Sequence, residues 1–241
     1  MKNLICILII SFAAFSAKAD TIPQIERVNV YALSGLSLRA IPTLEGQMLK
    51  VIPFGENVQI IEKTNKSQTI EWMSGHWIKV RYQGLEGYIF DGFTSDLPFP
   101  MLSFELTQED LDLSYPLLAW AEYHFDQIGE ADTIRTEGQY GLVQHLENGI
   151  RLQREDSDYH FKASIILPGR HISEAYNLLR SMLLTKNERI AYNQSSVFLA
   201  NVSGNIDHIK INLDSPVEIR TLPDGSVKIS VITFHEGCTS L

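Results

Sequence analysis

The stretch 24–97 constrains the fold most, because its short apolar runs are interrupted every few residues by glycine, proline or asparagine. Runs of this length are typical of strands, and the interrupting residues favour tight turns. In Leu36-Ser37-Leu38-Arg39 apolar and polar residues alternate, as in a strand with one buried face and one wet face. The stretch therefore predicts a small domain of short strands joined by tight turns.

The pattern changes at residues 98–102, which begin Pro98-Phe99-Pro100. Proline fixes its own backbone and restricts its neighbour, so we interpret this segment as a stiff linker. Residues 103–241 then predict an α+β domain, in which an antiparallel sheet carries two helices on one face. The whole chain is therefore expected to be mostly β followed by α+β.

Two helices are predicted in the second domain from apolar residues at helical spacing. The first begins at Thr107 or Pro116 and continues through Trp120, and the second covers residues 173–184 with Ser173 as its cap. The first strands are predicted in a hairpin over 140–154 that turns at Asn148-Gly149, and a further strand is predicted over 159–167. The remainder, 189–234, is predicted to be rich in strands, with a hairpin formed by 217–221 and 227–234.

Three blocks in the first domain carry a family resemblance. They are Ala32-Leu33-Ser34-Gly35-Leu36-Ser37-Leu38-Arg39-Ala40-Ile41-Pro42, the segment 51–60 with an apolar pair, a glycine and an alternating strand, and Trp77-Ile78-Lys79-Val80-Arg81-Tyr82-Gln83-Gly84-Leu85-Glu86-Gly87-Tyr88-Ile89. In order and spacing they resemble bacterial SH3 (SH3b) domains, although Ser37 replaces the usual asparagine. The resemblance implies a small SH3-like β-barrel over 24–97. It also implies a non-catalytic ligand-binding or spacing role at the cell envelope, with peptidoglycan or a peptide as partner.

Four aromatic residues of the first domain are candidate ligand-binding residues, because an aromatic ring can stack on a sugar or a peptide. They are Tyr31, Trp72, Tyr82 and Phe93. Each could equally close the barrel or cover its rim, since aromatic side chains contribute large apolar area to packing. Trp72 lies in the polar segment 63–76, which we interpret as a loop.

The first 19 residues have the composition of a secretory signal peptide. Lys2 precedes an apolar stretch from Leu4 to Phe15, and Ala17-Lys18-Ala19 forms a cleavage pattern before Asp20. The apolar stretch is shorter than the ~20 residues that a membrane-spanning helix needs. We therefore expect a periplasmic or secreted protein without membrane insertion, in which Cys238 is the only thiol after cleavage.

The charge balance limits the partners. The chain has 29 Asp and Glu against 20 Lys and Arg, a net charge of −9. Binding to nucleic acid depends on Lys and Arg that neutralise phosphates, so we expect no nucleic-acid partner.

Catalytic and metal-binding patterns are scarce. Common nucleophile, phosphate-binding and zinc motifs do not occur. His145 and His160 could meet on neighbouring strands, but solvated histidines are the commoner case, and we expect no metal and no cofactor. His235-Glu236-Gly237-Cys238 resembles a damaged transpeptidase nucleophile motif. It lacks the following arginine and a nearby base, so we assign no catalytic residue.

These observations predict a non-catalytic envelope protein that binds a cell-wall component or an envelope protein. One alternative is a cell-wall hydrolase or transpeptidase-like enzyme with its site in the C-terminal domain. Another is a subunit or inhibitor that binds a second protein. A groove over the barrel aromatics would favour ligand binding, and a pocket lined by histidines and carboxylates would favour the enzyme. The sequence leaves the ligand and the oligomeric state open.

Overall fold

A computed structural model of the protein describes residues 26–100, 112–136, 138–183 and 185–235. In these ranges the chain forms one seven-stranded and one eight-stranded antiparallel sheet with three α-helices. The predicted fold class is therefore confirmed: a small curled sheet comes first, and an α+β arrangement follows. The predicted signal peptide, the helix start at Thr107 and Cys238 lie outside the described residues.

The N-terminal unit (residues 26–97) is a curled sheet around a small core of its own. Its strands are β1 (Arg27–Val30), β2 (Leu36–Arg39), β3 (Met48–Ile52), β4 (Asn57–Ile70), β5 (Met73–Tyr82), β6 (Leu85–Phe90) and β7 (Thr94–Ser95), in the spatial order β3-β2-β6-β5-β4-β1-β7. Leu36 and Leu38 are buried, as the alternation in the sequence predicts. They form the barrel core with Val30, Ile52, Val58, Ile78, Val80, Tyr82 and Ile89.

Turn chemistry sets the register of this unit. Gln83 and Gly84 both have positive φ, 47° and 80°, so a two-residue turn joins Tyr82 to Leu85 in the next strand.

The segment 63–76 is not a loop, contrary to the sequence interpretation. It lies within β4 and β5, which form one long hairpin that turns at Glu71 and Trp72, with Glu71 at φ 56°. The polar residues of this segment suggest a loop because β4 is exposed over most of this length. Pairing with β5, from Lys63 opposite Ile78 to Ile70 opposite Met73, keeps the segment extended.

The C-terminal unit (residues 112–235) is an eight-stranded sheet with helices α1 (Ser114–His124), α2 (Ile172–Met182) and α3 (Lys186–Gln194). Its strands are β8 (Asp132–Thr136), β9 (Gln139–His145), β10 (Arg151–Ser157), β11 (His160–Leu167), β12 (Ser196–Ala200), β13 (Ile206–Ile211), β14 (Val217–Thr221) and β15 (Val227–Phe234), in the order β12-β13-β14-β15-β11-β10-β9-β8. Within the described ranges, no helix has the length and apolar character needed to cross a membrane.

The predicted strands of this unit agree with the structure, but the helices need two corrections. The helix α3 replaces the start of the predicted strand-rich remainder, because Thr185 and Glu188 form a capping box that begins a helix there. The predicted second helix begins at Ile172, so its N-cap is His171 and not Ser173.

The two units share one large hydrophobic core. Tyr31, Met73, Trp77 and Phe90 of the N-terminal unit belong to the same cluster of buried residues as the helices and the C-terminal sheet. At the tip of the long hairpin, the ring of Trp72 lies 4.5 Å from that of Phe198 and 5.2 Å from that of Tyr176, between ring centroids. The hairpin thus extends the first sheet onto the second unit.

The segment 97–99, which connects the two units, forms contacts with both of them. The Tyr31 hydroxyl donates to the carbonyls of Leu97 and Pro98 at 3.2 and 2.9 Å. The Trp120 indole, on α1, donates to the same Pro98 carbonyl at 3.0 Å, and Phe99 stacks on Tyr31 with ring centroids 4.7 Å apart. This proline-rich segment therefore forms part of the packed boundary between the units.

Candidate functional site

A cleft of about 600 Å³ lies between the two units. The N-terminal unit lines it with the loop that leads into β2, with the tip of the long hairpin, and with the aromatic residues Trp77, Phe90 and Phe93. The C-terminal unit lines it with the end of α2 and the start of α3. We call it the interunit cleft.

The aromatic wall of the cleft is fixed by local hydrogen bonds and ring packing. The Trp77 indole donates to the Gln68 side chain at 2.8 Å across the hairpin. The Trp77 ring meets Phe90 edge-on at 6.2 Å, and Phe90 meets Phe93 at 5.9 Å, between ring centroids. These contacts bury Trp77 and Phe90 almost completely and hold Phe93 in place as the partly exposed ring of this wall.

The loop wall requires a glycine at one position. Gly35 has φ 84°, and a β-carbon there would lie 2.6 Å from the Val51 side chain. A side chain at this position would therefore strain the turn and collide with β3, so the glycine of the first sequence block has a steric role.

The opposite wall comes from the junction of two helices. Thr185 caps α3 by accepting a hydrogen bond from the Glu188 amide at 3.2 Å. This places Lys186 and Ile190 on the cleft, and Arg189 is positioned by a 3.0 Å bond from its Nε to the Leu183 carbonyl.

Arg180, at the end of α2, has an unusual environment. Its Nε atom is buried, and within the described ranges it is the one buried side-chain nitrogen or oxygen without a hydrogen-bond partner. Leaving a buried N–H unpaired costs on the order of 1–3 kcal/mol. Such a group calls for an explanation in a ligand or a function.

The charges of the cleft are opposite to those of the whole chain. Arg39, Arg180, Lys186 and Arg189 line it, and Glu71 is its one carboxylate. The chain as a whole carries a net charge of −9. A concave site with low-dielectric walls concentrates the field of its own charges, so this cleft attracts anions.

The four aromatic residues predicted from the sequence lie in different places. Only Phe93 lines the interunit cleft. Tyr31 and Tyr82 are 3% and 5% exposed, and burial raises the pKa of both hydroxyls. Trp72 lines a second cavity of about 440 Å³ beside the start of α2. Tyr31, Tyr82 and Trp72 therefore do not line the interunit cleft.

A third and larger cavity, of about 660 Å³, is polar. His76, His171, Asp91 and Glu174 line it. Asp91 accepts a 2.6 Å bond from the His76 amide, and burial raises the pKa of its carboxyl above the ordinary value. Glu174 accepts from the His171 amide at 3.0 Å and from the Ser95 hydroxyl. Glu174 therefore joins the two units through the Ser95 hydroxyl, whereas Asp91 is bonded within the N-terminal unit.

The histidines considered for a metal site do not meet. His145 and His160 lie at opposite ends of β10, on the strands that flank it. His145 bonds Asp132 at 2.9 Å and His160 bonds Ser157 at 3.2 Å. Among the described residues no group of three metal-ligating side chains occurs. His235, the described part of the His235–Cys238 motif, bonds the Ser157 carbonyl at 3.0 Å.

Arg180, Lys186 and Ile190 were not found from the sequence. The pattern Thr185-Lys186-Asn187-Glu188 is a capping-box signature that could have revealed α3 and its exposed positions. No local pattern marks Arg180, because its significance depends on the loop and hairpin that face it across the cleft.

The curled sheet combines two-residue turns with a loop that lies beside an aromatic wall. Residues 34–95 match the family model described as bacterial SH3 domain, and the rest of the chain matches no family model. A domain of this family suggests a cell-wall or peptide-binding module. No curated protein and no solved structure matches the chain.

Proposed function

We propose that this protein is a non-catalytic binding protein of the bacterial envelope, and that its two units together hold the peptide part of peptidoglycan. The observation that carries the proposal is the interunit cleft, which the bacterial SH3 domain and the C-terminal unit line jointly. The match to the bacterial SH3 family supports a cell-wall or peptide ligand.

The size and lining of the cleft suit a short peptide. Its volume of about 600 Å³ falls within the range of roughly 300–1,000 Å³ that is usual for ligand sites. One wall is aromatic, and the other presents Ile190 beside basic side chains. A peptide could bury apolar side chains on the first wall and pair its charged groups with the second.

A pull-down on purified peptidoglycan tests this proposal with two matched variants of the full chain. Ile190, 41% exposed, lines the cleft, whereas Ile134, 54% exposed, lies on β8 at the far edge of the C-terminal sheet. We expect Ile190→Ser to reduce the bound fraction several-fold and Ile134→Ser to leave it unchanged. Equal binding by all three proteins would show that the ligand does not occupy this cleft.

We also propose that the protein acts in the periplasm or outside the cell. The support is the charged, apolar and small-residue sequence of residues 1–19. Mass spectrometry of the protein recovered from an exporting cell should show Asp20 at its N-terminus. A product that retains residues 1–19 would contradict this location.

A cell-wall hydrolase is the second candidate, and the polar cavity favours it. Asp91 lies there in the same cavity as two histidines, and a carboxyl whose pKa is raised by burial can act as a general acid. Release of soluble fragments from peptidoglycan by the full chain, abolished in Asp91→Asn, would support the enzyme. Binding without any fragment release would support the non-catalytic proposal.

A further inference from the structure

We propose, resting on the function above, that the interunit cleft recognises a free carboxylate of its ligand and that Arg180 of the C-terminal unit binds it. The anion is thus recognised by α2, outside the matched bacterial SH3 domain. The body of the ligand lies against Phe93 and the aliphatic side chains of the cleft.

The unpaired Nε of Arg180 is the first observation. It is buried at the cleft and lacks a partner among the described residues. A guanidinium presents its N–H groups in a planar fork that matches the two oxygens of a carboxylate. A carboxylate in the cleft would pair the buried N–H, whereas a ligand without an acceptor would leave it unpaired.

The other cations of the cleft differ in how they are held. Arg39 donates to the Gly46 carbonyl at 2.8 Å, and Arg189 donates to the Leu183 carbonyl at 3.0 Å. Lys186 forms no ion pair with any described residue. Arg180 and Lys186 are therefore the two cations of the cleft whose side chains form no hydrogen bond or ion pair with a described residue.

The apolar lining argues for an amphipathic ligand. Leu36, Ile70 and Ile190 line the cleft together with its three aromatic residues. A small inorganic anion or a phosphate-rich polymer would leave this apolar surface exposed to water. A peptide that ends in a carboxylate uses both the apolar surface and the basic end of the cleft.

Glu71 is the one carboxylate of the cleft and lies in the hairpin turn with Trp72. An anionic group of the ligand is repelled by Glu71 and attracted to Arg180 and Lys186. The carboxylate of the ligand therefore pairs with these two cations.

The test measures calorimetric dissociation constants of the full chain for two probes. The first probe is the mixture of soluble fragments that muramidase releases from purified peptidoglycan. The second is the same mixture after its carboxylates have been amidated with carbodiimide and ammonium. We expect amidation to weaken binding to the wild type about tenfold or more, because a charge-assisted bond is lost.

The variant Arg180→Gln completes a double cycle. It should bind the untreated fragments about tenfold more weakly than the wild type, and amidation should weaken its binding little further. Arg151→Gln is the matched control. It removes the same charge as Arg180→Gln, but Arg151 lies on β10 of the C-terminal sheet and does not line the cleft. It should behave like the wild type with both probes.

The outcomes separate this inference from the proposed function. Equal binding of untreated and amidated fragments by the wild type overturns the carboxylate site, while a loss of binding in Ile190→Ser would still support the cleft. An effect of amidation that is undiminished in Arg180→Gln assigns the carboxylate to another residue and overturns the role of Arg180. If the wild type binds neither probe, the proposed function fails and this inference fails with it. Should Arg180→Gln not fold, Arg180→Lys takes its place in the cycle and should also bind the untreated fragments more weakly, because lysine lacks the planar fork.

Discussion

The N-terminal unit has two cores of different origin. At one end, Leu36, Leu38 and their neighbours pack only against each other within the curled sheet. At the other end, Trp77, Phe90 and Met73 belong to the large cluster that includes the helices and the C-terminal sheet. The first core lies within the N-terminal unit, while the second core includes residues of the C-terminal unit.

This difference explains where the candidate site lies. The cleft opens beside the shared core, where the aromatic residues of one unit face the helices of the other. A ligand there contacts both units at once. In the proposed function, the C-terminal unit supplies a second wall to the cleft, and part of the specificity comes from residues outside the matched segment 34–95.

Separating the units tests the comparison most strongly. From the sequence alone, residues 24–97 are expected to fold as an independent domain with a cooperative thermal transition. The structure adds that the isolated fragment exposes Met73, Trp77 and Phe90, which are buried in the full chain. Exposing each large apolar side chain costs about 1.5–3 kcal/mol. We expect the fragment to unfold cooperatively but at a much lower urea concentration than the full chain.

The measurement is urea denaturation followed by tryptophan fluorescence and circular dichroism. A fragment as stable as the full chain would show that the shared core contributes little to the N-terminal unit. A fragment without any cooperative transition would show that the barrel core is insufficient and that the unit depends on residues beyond 97.

Truncating one side chain in each core sharpens the contrast. Trp77→Ala should lower the free energy of unfolding of the full chain by about 3–5 kcal/mol, and Leu38→Ala by about 2–5 kcal/mol. Both side chains are fully buried. Only Trp77 supports the cleft, because it packs on Phe90 and through it on Phe93. Trp77→Ala should therefore also weaken peptidoglycan binding under conditions where both variants remain folded. Equal loss of binding in folded Leu38→Ala would contradict the assignment of the site to the shared end.

The two ends also differ in how far the sequence predicts them. The barrel end follows from local rules: alternation places Leu36 and Leu38 inside, and the Gln83-Gly84 pair makes the turn. Gly87 of the third block has a packing reason, because a β-carbon there would lie 2.7 Å from the Arg39 carbonyl. The hairpin over 217–221 and 227–234 has the predicted bounds for the same kind of reason.

The shared end depends on contacts between residues far apart in the chain. The polar residues of 63–70 give no strand signal, and their strand forms because β5 pairs with it. Phe93 was predicted as a site residue, but Arg180 and Lys186 resemble ordinary charged residues on helix surfaces. Their importance comes from the loop and hairpin that face them, which no pattern in residues 180–190 records.

Weakening the second wall of the cleft should have a smaller effect. Thr185→Ala removes the cap of α3, whose hydroxyl accepts from the Glu188 amide at 3.2 Å. Loss of such a cap costs about 0.5–2 kcal/mol. We expect a loss of stability in that range by urea denaturation, with binding weakened because Lys186 follows the cap directly. Thr185→Ser, which keeps the hydroxyl, should restore both properties, and a stable Thr185→Ala would contradict the role of the cap.

The smallest expected effect concerns pH and compares two aspartates, one at the boundary between the units and one in a turn of the C-terminal unit. Burial raises the pKa of Asp91 above 3.8. The folded protein therefore holds this proton more tightly than the unfolded chain, and the contribution of Asp91 to stability falls as the pH rises through that raised pKa. The Ser226 hydroxyl and amide, which donate to Asp224 at 2.6 and 2.9 Å, lower the pKa of that carboxyl instead.

The two substitutions by asparagine should therefore have opposite signs at neutral pH. Asp91→Asn removes a buried charge while keeping an acceptor for the His76 amide, so it should stabilise the protein at pH 7 and have little effect near pH 3. Asp224→Asn should destabilise it at pH 7, and this loss should shrink as the pH falls through the lowered pKa. The measurement is the difference in unfolding free energy between each variant and the wild type across this pH range. A destabilised Asp91→Asn at pH 7 would mean that the ionised carboxylate helps to join the two units, so that polar contacts as well as the shared core hold them together.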